Sequence, residues 1–306
     1  MDAGRWTDPA WRAEADAWVE EQLAVLGLTR TGAIEQPHVV RWSTVLRVPT
    51  SAGPVWFKAN DGSMHHEAGV VALLAQRRPD RVPPLLAADT ERGWMLMADA
   101  GERLREVAPA EGSLDRWYDV LAAVAEIQIA CEDAVPELLA LGVPDRRLAV
   151  LPEAYERLVH DVPAEPRFRD ATAYVAELCD RLAGFGIAET LQHDDLHDAQ
   201  VFVRDGVNLV MDWGDACVSH PFFTLSVTLE GLIAWGLDDE PDSVDTAPFR
   251  DAYLAPYAVR HPGVDLVAAA TVATRLGWAC RAVNGHVPGD DDTTLTRLRM
   301  FLDGKP

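Results

Sequence analysis

The chain has 306 residues, enough for one large domain or for two lobes that share a cleft. With 48% hydrophobic and 25% charged side chains it has the balance of a folded globular enzyme, which excludes a disordered or fibrous chain. Its formal charge of −22, from 49 acidic and 27 basic residues, repels nucleic-acid phosphates and anionic lipid, so neither nucleic acid nor membrane is expected as a partner, whereas a cationic substrate is compatible. No apolar run approaches the roughly 18 residues of a membrane span, and Met1-Asp2-Ala3-Gly4-Arg5-Trp6 does not begin a secretory signal. Cys131, Cys179, Cys217 and Cys280 are widely spaced with no CxxC pair, as expected of reduced, buried thiols in a cytoplasmic protein.

In chain order, Trp11, Ala15, Trp18, Val19, Leu23 and Leu26 recur every three to four residues, which predicts an amphipathic helix over 9–26. Short strands follow at 38–42, 44–48 and 55–58, with Ser51-Ala52-Gly53-Pro54 as the turn between the last two. A helix is expected over 65–78, beginning near Glu67, and then a hairpin of 85–88 and 94–97 around Glu91-Arg92-Gly93. From Leu114 helices dominate: 114–131, 148–160, 168–185, 222–235, 246–259, 264–282 and 293–302. They are interrupted at 191–213 by a polar loop and a hairpin of 201–203 and 209–211, turned at Asp205-Gly206. The expected fold class is α+β, with a small, mostly antiparallel lobe over 1–100 and a mainly helical lobe over 101–306.

Two features carry chemistry. Only two of the 27 basic residues are lysines, Lys58 and Lys305, and Lys58 sits inside the apolar segment Val55-Trp56-Phe57-Lys58-Ala59. Lysine is a compact point charge suited to phosphate oxygens, although a strand-end lysine reaching out to solvent fits the same place. The second feature is His193-Asp194-Asp195-Leu196-His197-Asp198-Ala199-Gln200, followed by Asp212-Trp213. Such a density of charge between apolar strands is costly unless it binds something. Phosphoryl transfer needs a base for the acceptor hydroxyl, hard oxygen ligands for magnesium and a cation on the phosphates. Asp195, then Gln200 with Asp212, then Lys58 can supply them in that order.

These residues resemble the aminoglycoside phosphotransferase family of protein-kinase-like enzymes, whose loop reads H-x-D-(L)-(H)-x-x-N and is followed by D-W or D-x-D. The match is His193, Asp195, Leu196 and His197, then Asp212, Trp213 and Asp215, the two principal aspartates standing 17 positions apart. The resemblance implies a protein-kinase-like fold of two lobes and transfer of the ATP γ-phosphate to a hydroxyl of a small molecule, an aminoglycoside, amino sugar or similar. It implies Asp195 as catalytic base, His193 as a brace of the loop, and Asp212 with Gln200 as ligands of Mg2+. It further implies Lys58 on the α- and β-phosphates with Glu67 as its partner, and Met97-Ala98-Asp99 as the hinge against adenine. Ser43 and Thr44, in a phosphate-covering loop at 41–44 that lacks glycine, are expected on phosphate. Gln200 stands where the family has Asn.

The acceptor is expected among the C-terminal helices, where carboxylates would attract ammonium groups. The candidates are His197, Asp215, Glu230, Trp235, Asp238 and Asp239. Asp198, Asp215 and His197 also fit turn, cap or packing roles, and Trp213, Trp235 and Cys217 fit the core. Two other readings stay open. A metal-dependent phosphohydrolase would use His193, Asp194, His197 and Asp198 as ligands, but leaves Lys58 and Glu67 unexplained. A nucleotide-binding pseudokinase would follow from Gln200. A monomer or a homodimer is expected.

Overall fold

The computed structural model describes residues 3–304, so Lys305 lies outside the described residues. Two compact units divide the chain. One runs through Gly101 and takes in Arg204–Gly214, and the other comprises Glu102–Val203 and the chain from Asp215 onward. The short segment ending at Gly214, which carries Asp212, therefore counts with the first unit rather than with the residues after 100.

In the first unit, α1 (Pro9–Val25) starts on Asp8, whose carboxylate accepts from the Ala10 N–H, with Pro9 at the first helical position. Its buried face, Ala15, Trp18, Val19 and Leu23, packs into one core with Leu46, Val48, Phe57, Trp94 and Leu96. There Trp18, Phe57 and Trp94 meet pairwise with ring centroids 5.5–5.9 Å apart, in tilted and edge-on geometries. The sheet is antiparallel, in the order β1 (Glu35–Val39), β2 (Ser43–Thr50), β3 (Gly53–Asn60), β5 (Trp94–Ala98) and β4 (Leu85–Asp89). In β3 the register sets Lys58 between Val45 of β2 and Met95 of β5. After β3 the chain reaches α2 (Glu67–Arg77), which begins on Glu67, where the helix N-terminus favours a carboxylate.

In the second unit, β6 (Glu102–Arg103) leads into α3 (Leu104–Glu111), a helix absent from the expected elements. Next come α4 (Arg116–Ala130), α5 (Val135–Ala140), α6 (Leu151–Asp161), α7 (Pro166–Asp170) and α8 (Thr172–Ala183). The single helix expected over 168–185 is thus two, separated at Ala171. β7 (Thr190–Gln192) ends at the His/Asp loop, after which come β8 (Val201–Arg204) and β9 (Val207–Val210). β10 (Cys217–Ser219) pairs antiparallel with β7, Cys217 opposite Gln192, so the residues just before β10 lie beside the start of the loop. The chain closes with α9 (Ala247–Arg260), which packs on α4, α10 (Leu266–Asn284) and α11 (Asp291–Asp303).

Two further expectations need correction. The segment 222–235 is not one helix: short 3-10 turns at Pro221–Phe223 and Ile233–Trp235 flank a π-turn at Ser226–Glu230. The Gly231 N–H donates to Ser226 O, five residues back, and Leu232 leaves helical geometry at φ −136°. Hydroxyls bind this segment to its surroundings, Ser226 Oγ donating to Thr274 O over 2.7 Å, and apolar spacing carries no trace of such bonds. The second correction is α10, which is long and apolar enough by length and composition to cross a bilayer. Of its most apolar 18-residue window 67% is buried inside the protein, so it forms the core against which α8 and α11 pack.

Candidate functional site

The first unit gathers three of the expected residues. Lys58 Nζ lies 2.8 Å from Glu67 Oε1 and 2.7 Å from Asp212 Oδ1, so residues 9 and 154 positions away in sequence share one ammonium. Lys58 and Glu67 are buried, and Glu67 also accepts from Asn60 Nδ2 and from the Trp213 N–H at 3.1 Å. Burial by itself would lower the Lys58 pKa, but Asp212 and Glu67 outweigh it and hold the ammonium firmly protonated. Burial raises Glu67 against the opposing pull of Lys58. Asp212 has a left-handed backbone, φ 59°, which turns its carboxylate to Lys58 directly after β9.

The other expected nucleotide contacts are set differently. Thr44 is fully buried, its hydroxyl donating to His38 O at 2.8 Å and accepting from Gln36 Nε2 at 2.9 Å, so that hydroxyl is already employed inside the unit. Ser43 is buried at the start of β2, opposite Asn60. Met97 is buried in β5 between Trp56 and Leu85, and Asp99 accepts from Trp56 Nε1 at 2.8 Å and from the Gly101 N–H at 2.8 Å. The side chain of Asp99 thereby fixes the exit from β5.

The second unit gathers the His/Asp loop. His193 is buried, and Asp194, only 2% exposed, takes φ 64°. Asp194 accepts from Asn284 Nδ2 at 2.8 Å and from Arg281 Nη1 at 3.2 Å, both from α10. Burial pushes its pKa up to about 6 against the pull of Arg281. Asp195, partly exposed, meets Arg281 Nη2 at 2.7 Å, and Asp215 Oδ1 lies 3.4 Å from Arg281 Nη1. Burial would lower the Arg281 pKa, but Asp215, Asp194 and Asp195 reverse that and raise it. Sequence reasoning missed Arg281 and Asn284 because their helix reads as plain core. The available signal was an arginine and an asparagine three positions apart in the last turns of a mostly apolar helix.

Both ring nitrogens of His197 have polar neighbours within the loop. Its Nδ1 accepts from the Ala199 N–H at 3.1 Å and lies 3.5 Å from Asp198 Oδ1. His197 Nε2 lies 3.7 Å from Asp195 Oδ2 and 3.3 Å from Gln200 Nε2. Asp198 is held by Arg105 Nη2 at 2.9 Å. The remaining acceptor candidates have other partners or are exposed. Glu230 accepts from Trp278 Nε1 at 2.6 Å and its carbonyl from Trp235 Nε1 at 3.0 Å, while Asp238 and Asp239 are exposed.

A metal-dependent phosphohydrolase would need convergent ligands in the loop. Among the described residues the group of three that converges, with ligand atoms within 4.8 Å, is Asp194, Cys217 and Cys280 instead. Cys217 donates to Gln192 Oε1 at 3.1 Å, and the bond to Cys217, together with burial, raises the Cys280 pKa, which disfavours Cys280 as a thiolate ligand.

No curated protein matches this chain in sequence. Among solved structures it is similar to the choline kinase LicA from Streptococcus pneumoniae, with 13% identity, 94% of this chain and 99% of that chain covered, and a TM-score of 0.61. It is similar to an ethanolamine kinase from Plasmodium vivax, with 12% identity, 88% and 81% covered, and a TM-score of 0.61. A GDP and kanamycin complex of APH(2")-IIia matches with 15% identity, 94% and 97% covered, and a TM-score of 0.56. At these identities the likeness is one of fold, the protein-kinase-like α+β fold. The sequence profile of the APH phosphotransferase enzyme family matches residues 33–266, about three-quarters of the chain from β1 to the start of α10. This chain therefore belongs to the phosphotransferase enzyme family.

Proposed function

We propose that the protein transfers the γ-phosphoryl group of ATP to a hydroxyl of a small, hydroxylated molecule. The observation that carries this reading is the shared ammonium of Lys58, held by buried Glu67 and by Asp212. A buried, permanently charged lysine with a pre-arranged carboxylate partner is what phosphate oxygens need, and a snorkelling strand-end lysine would have been exposed.

In this reading Lys58 binds the nucleotide phosphates and Glu67 keeps it aimed. Asp195 takes the proton of the acceptor hydroxyl through Oδ2, as that oxygen attacks the γ-phosphorus and ADP leaves. The Asp212 carboxylate of the first unit and the Gln200 amide oxygen of the second are each hard ligands of the kind magnesium takes, and the Asp212 side chain is 43% exposed. When bound, the ion would neutralise charge on the phosphates. Similar structures of a choline kinase, an ethanolamine kinase and a kanamycin complex support a small acceptor that bears a hydroxyl and a cationic nitrogen. The exposed Asp238 and Asp239 would attract such a cation before it docks.

The test is an ADP- and GDP-release screen with ATP and GTP against aminoglycosides, amino sugars, sugars, nucleosides and amino alcohols, with Asp195→Asn beside the wild type. The proposal expects Mg2+-dependent turnover of at least one acceptor and its loss in Asp195→Asn. Equal turnover by both proteins would remove Asp195 from its role. Nucleotide binding with no transfer to any acceptor or to water would make the protein a pseudokinase.

A further inference from the structure

Asp195 owes its placement to a helix nearly ninety residues further along the chain. The guanidinium of Arg281, 6% exposed, spreads over three carboxylates of the second unit. Nη1 reaches Asp194 Oδ2 at 3.2 Å and Asp215 Oδ1 at 3.4 Å, while Nη2 reaches Asp195 Oδ1 at 2.7 Å. Asn284, one turn on, ties Asp194 Oδ2 and the Asp215 carbonyl with its two amide hydrogens, each at 2.8 Å. Loop, β10 approach and α10 are thus joined at one cation.

We propose that Arg281 is the positioning residue for Asp195, its planar fork fixing one carboxylate oxygen so that the other, Oδ2, faces the acceptor hydroxyl. This rests on the reading of Asp195 as the group that receives the acceptor proton.

Three observations favour this over a purely structural ion pair. First, the shortest of the three contacts goes to the most catalytically placed carboxylate, with the two nitrogens divided between different partners. Such a division requires a fork and is beyond a point charge. Second, Asp194 and Asp195 are adjacent, so a single guanidinium clamps two consecutive side chains. Asp194 holds φ 64°, a conformation costly for a non-glycine residue unless its surroundings impose it. Third, Asp195 Oδ1 is occupied by Arg281, while Oδ2 faces His197 Nε2 across 3.7 Å, too long for a hydrogen bond. One oxygen is anchored and the other is available for a proton.

Lysine retains the charge of Arg281 and loses the fork, so Arg281→Lys isolates geometry from charge. With Mg-ATP and the acceptor turned over in the screen, or water if hydrolysis alone is seen, Arg281→Lys is expected to lower kcat about a hundredfold. That is the scale of a displacement of about 1 Å at the reacting group. The KM for ATP should stay within about twofold, because Lys58 and its partners are unchanged. Arg281→Ala should be slower still and should regain part of its kcat in millimolar guanidinium chloride, while Arg281→Lys should not. A kcat within twofold of wild type in Arg281→Lys overturns the inference. So does a joint change of kcat, ATP KM and melting temperature without rescue, since that describes a merely structural pair. Asp195→Asn separates the two levels: if it remains active the reading of Asp195 fails, and if it is inactive while Arg281→Lys is normal only the positioning role fails.

Discussion

Replacing Glu67 with Gln removes a charge but keeps the shape of a side chain that is 2% exposed and accepts from Lys58, Asn60 and the Trp213 N–H. Breaking a buried ion pair from one side costs about 3–5 kcal/mol, because a charge remains without its partner. Lys58 keeps the Asp212 carboxylate, and a Gln oxygen still accepts a hydrogen bond, so the lower end applies, about 3 kcal/mol. At about 2–4 °C per kcal/mol for a domain of 150–250 residues, the melting temperature should fall by about 6–12 °C. Asp212→Asn is the contrasting perturbation. Its side chain is 43% exposed, so its pairing with Lys58 is worth about 0–1 kcal/mol, and Asn tolerates the left-handed φ of 59°. Thermal melting followed by circular dichroism, combined with nucleotide-dependent transfer, separates the two. Asp212→Asn should melt within about 4 °C of wild type and lose transfer about a hundredfold or more. Glu67→Gln should lose both stability and transfer. Equal destabilisation by the two variants, or a Glu67→Gln protein that melts like wild type, would refute this division of the triad.

His220, fully buried, has its pKa lowered to about 3 by burial, below the ordinary 6.5 of the unfolded chain. Its neutral form stabilises the fold above pH 6.5 and that contribution is lost as pH falls, by about 2 kcal/mol at pH 5. Asp194, raised to about 6, acts in the opposite sense, because its folded form takes up a proton more readily than the unfolded form. His220→Asn, which keeps an acceptor for the Phe222 N–H, should therefore show a more favourable change in denaturant-derived stability from pH 7 to 5 than wild type. Gly285→Ala would place a Cβ 2.6 Å from Arg297 Nη1 and 2.9 Å from Arg281 Nη1, so both guanidinium tips must shift. Steady-state kinetics should show a kcat lower by about tenfold with an unchanged ATP KM. Chelation of Mg2+ should abolish transfer, and Gln200→Ala should raise the Mg2+ concentration for half-maximal rate, read by titration at fixed ATP.

Several parts of the molecule were legible from local chemistry. The β-branched and aromatic run Val55-Trp56-Phe57 and the turn at Ser51–Pro54 predict the β2–β3 pair, because strand-favouring side chains and turn residues act within a few positions. Lys58 stood out by residue type alone, and α1, α2 and the long C-terminal helices followed from apolar spacing. The break at 226–236 was not legible, since Ser226 and Thr228 bond to Thr274 O and Leu196 O, groups 48 and 32 residues away.

The sequence by itself determined the kinds of elements, the solitary lysine and the His/Asp loop, since those depend on residue identity and short-range periodicity. Tertiary structure alone decided which charges meet. Asp212 reaches Lys58 across 154 residues, and Arg281 reaches Asp194 and Asp195 across nearly ninety. Arg281 lies on an apolar helix whose pattern signals only burial, and a buried guanidinium persists there because three carboxylates compensate its lost hydration. That compensation is a property of packing, which no spacing along one helix can specify.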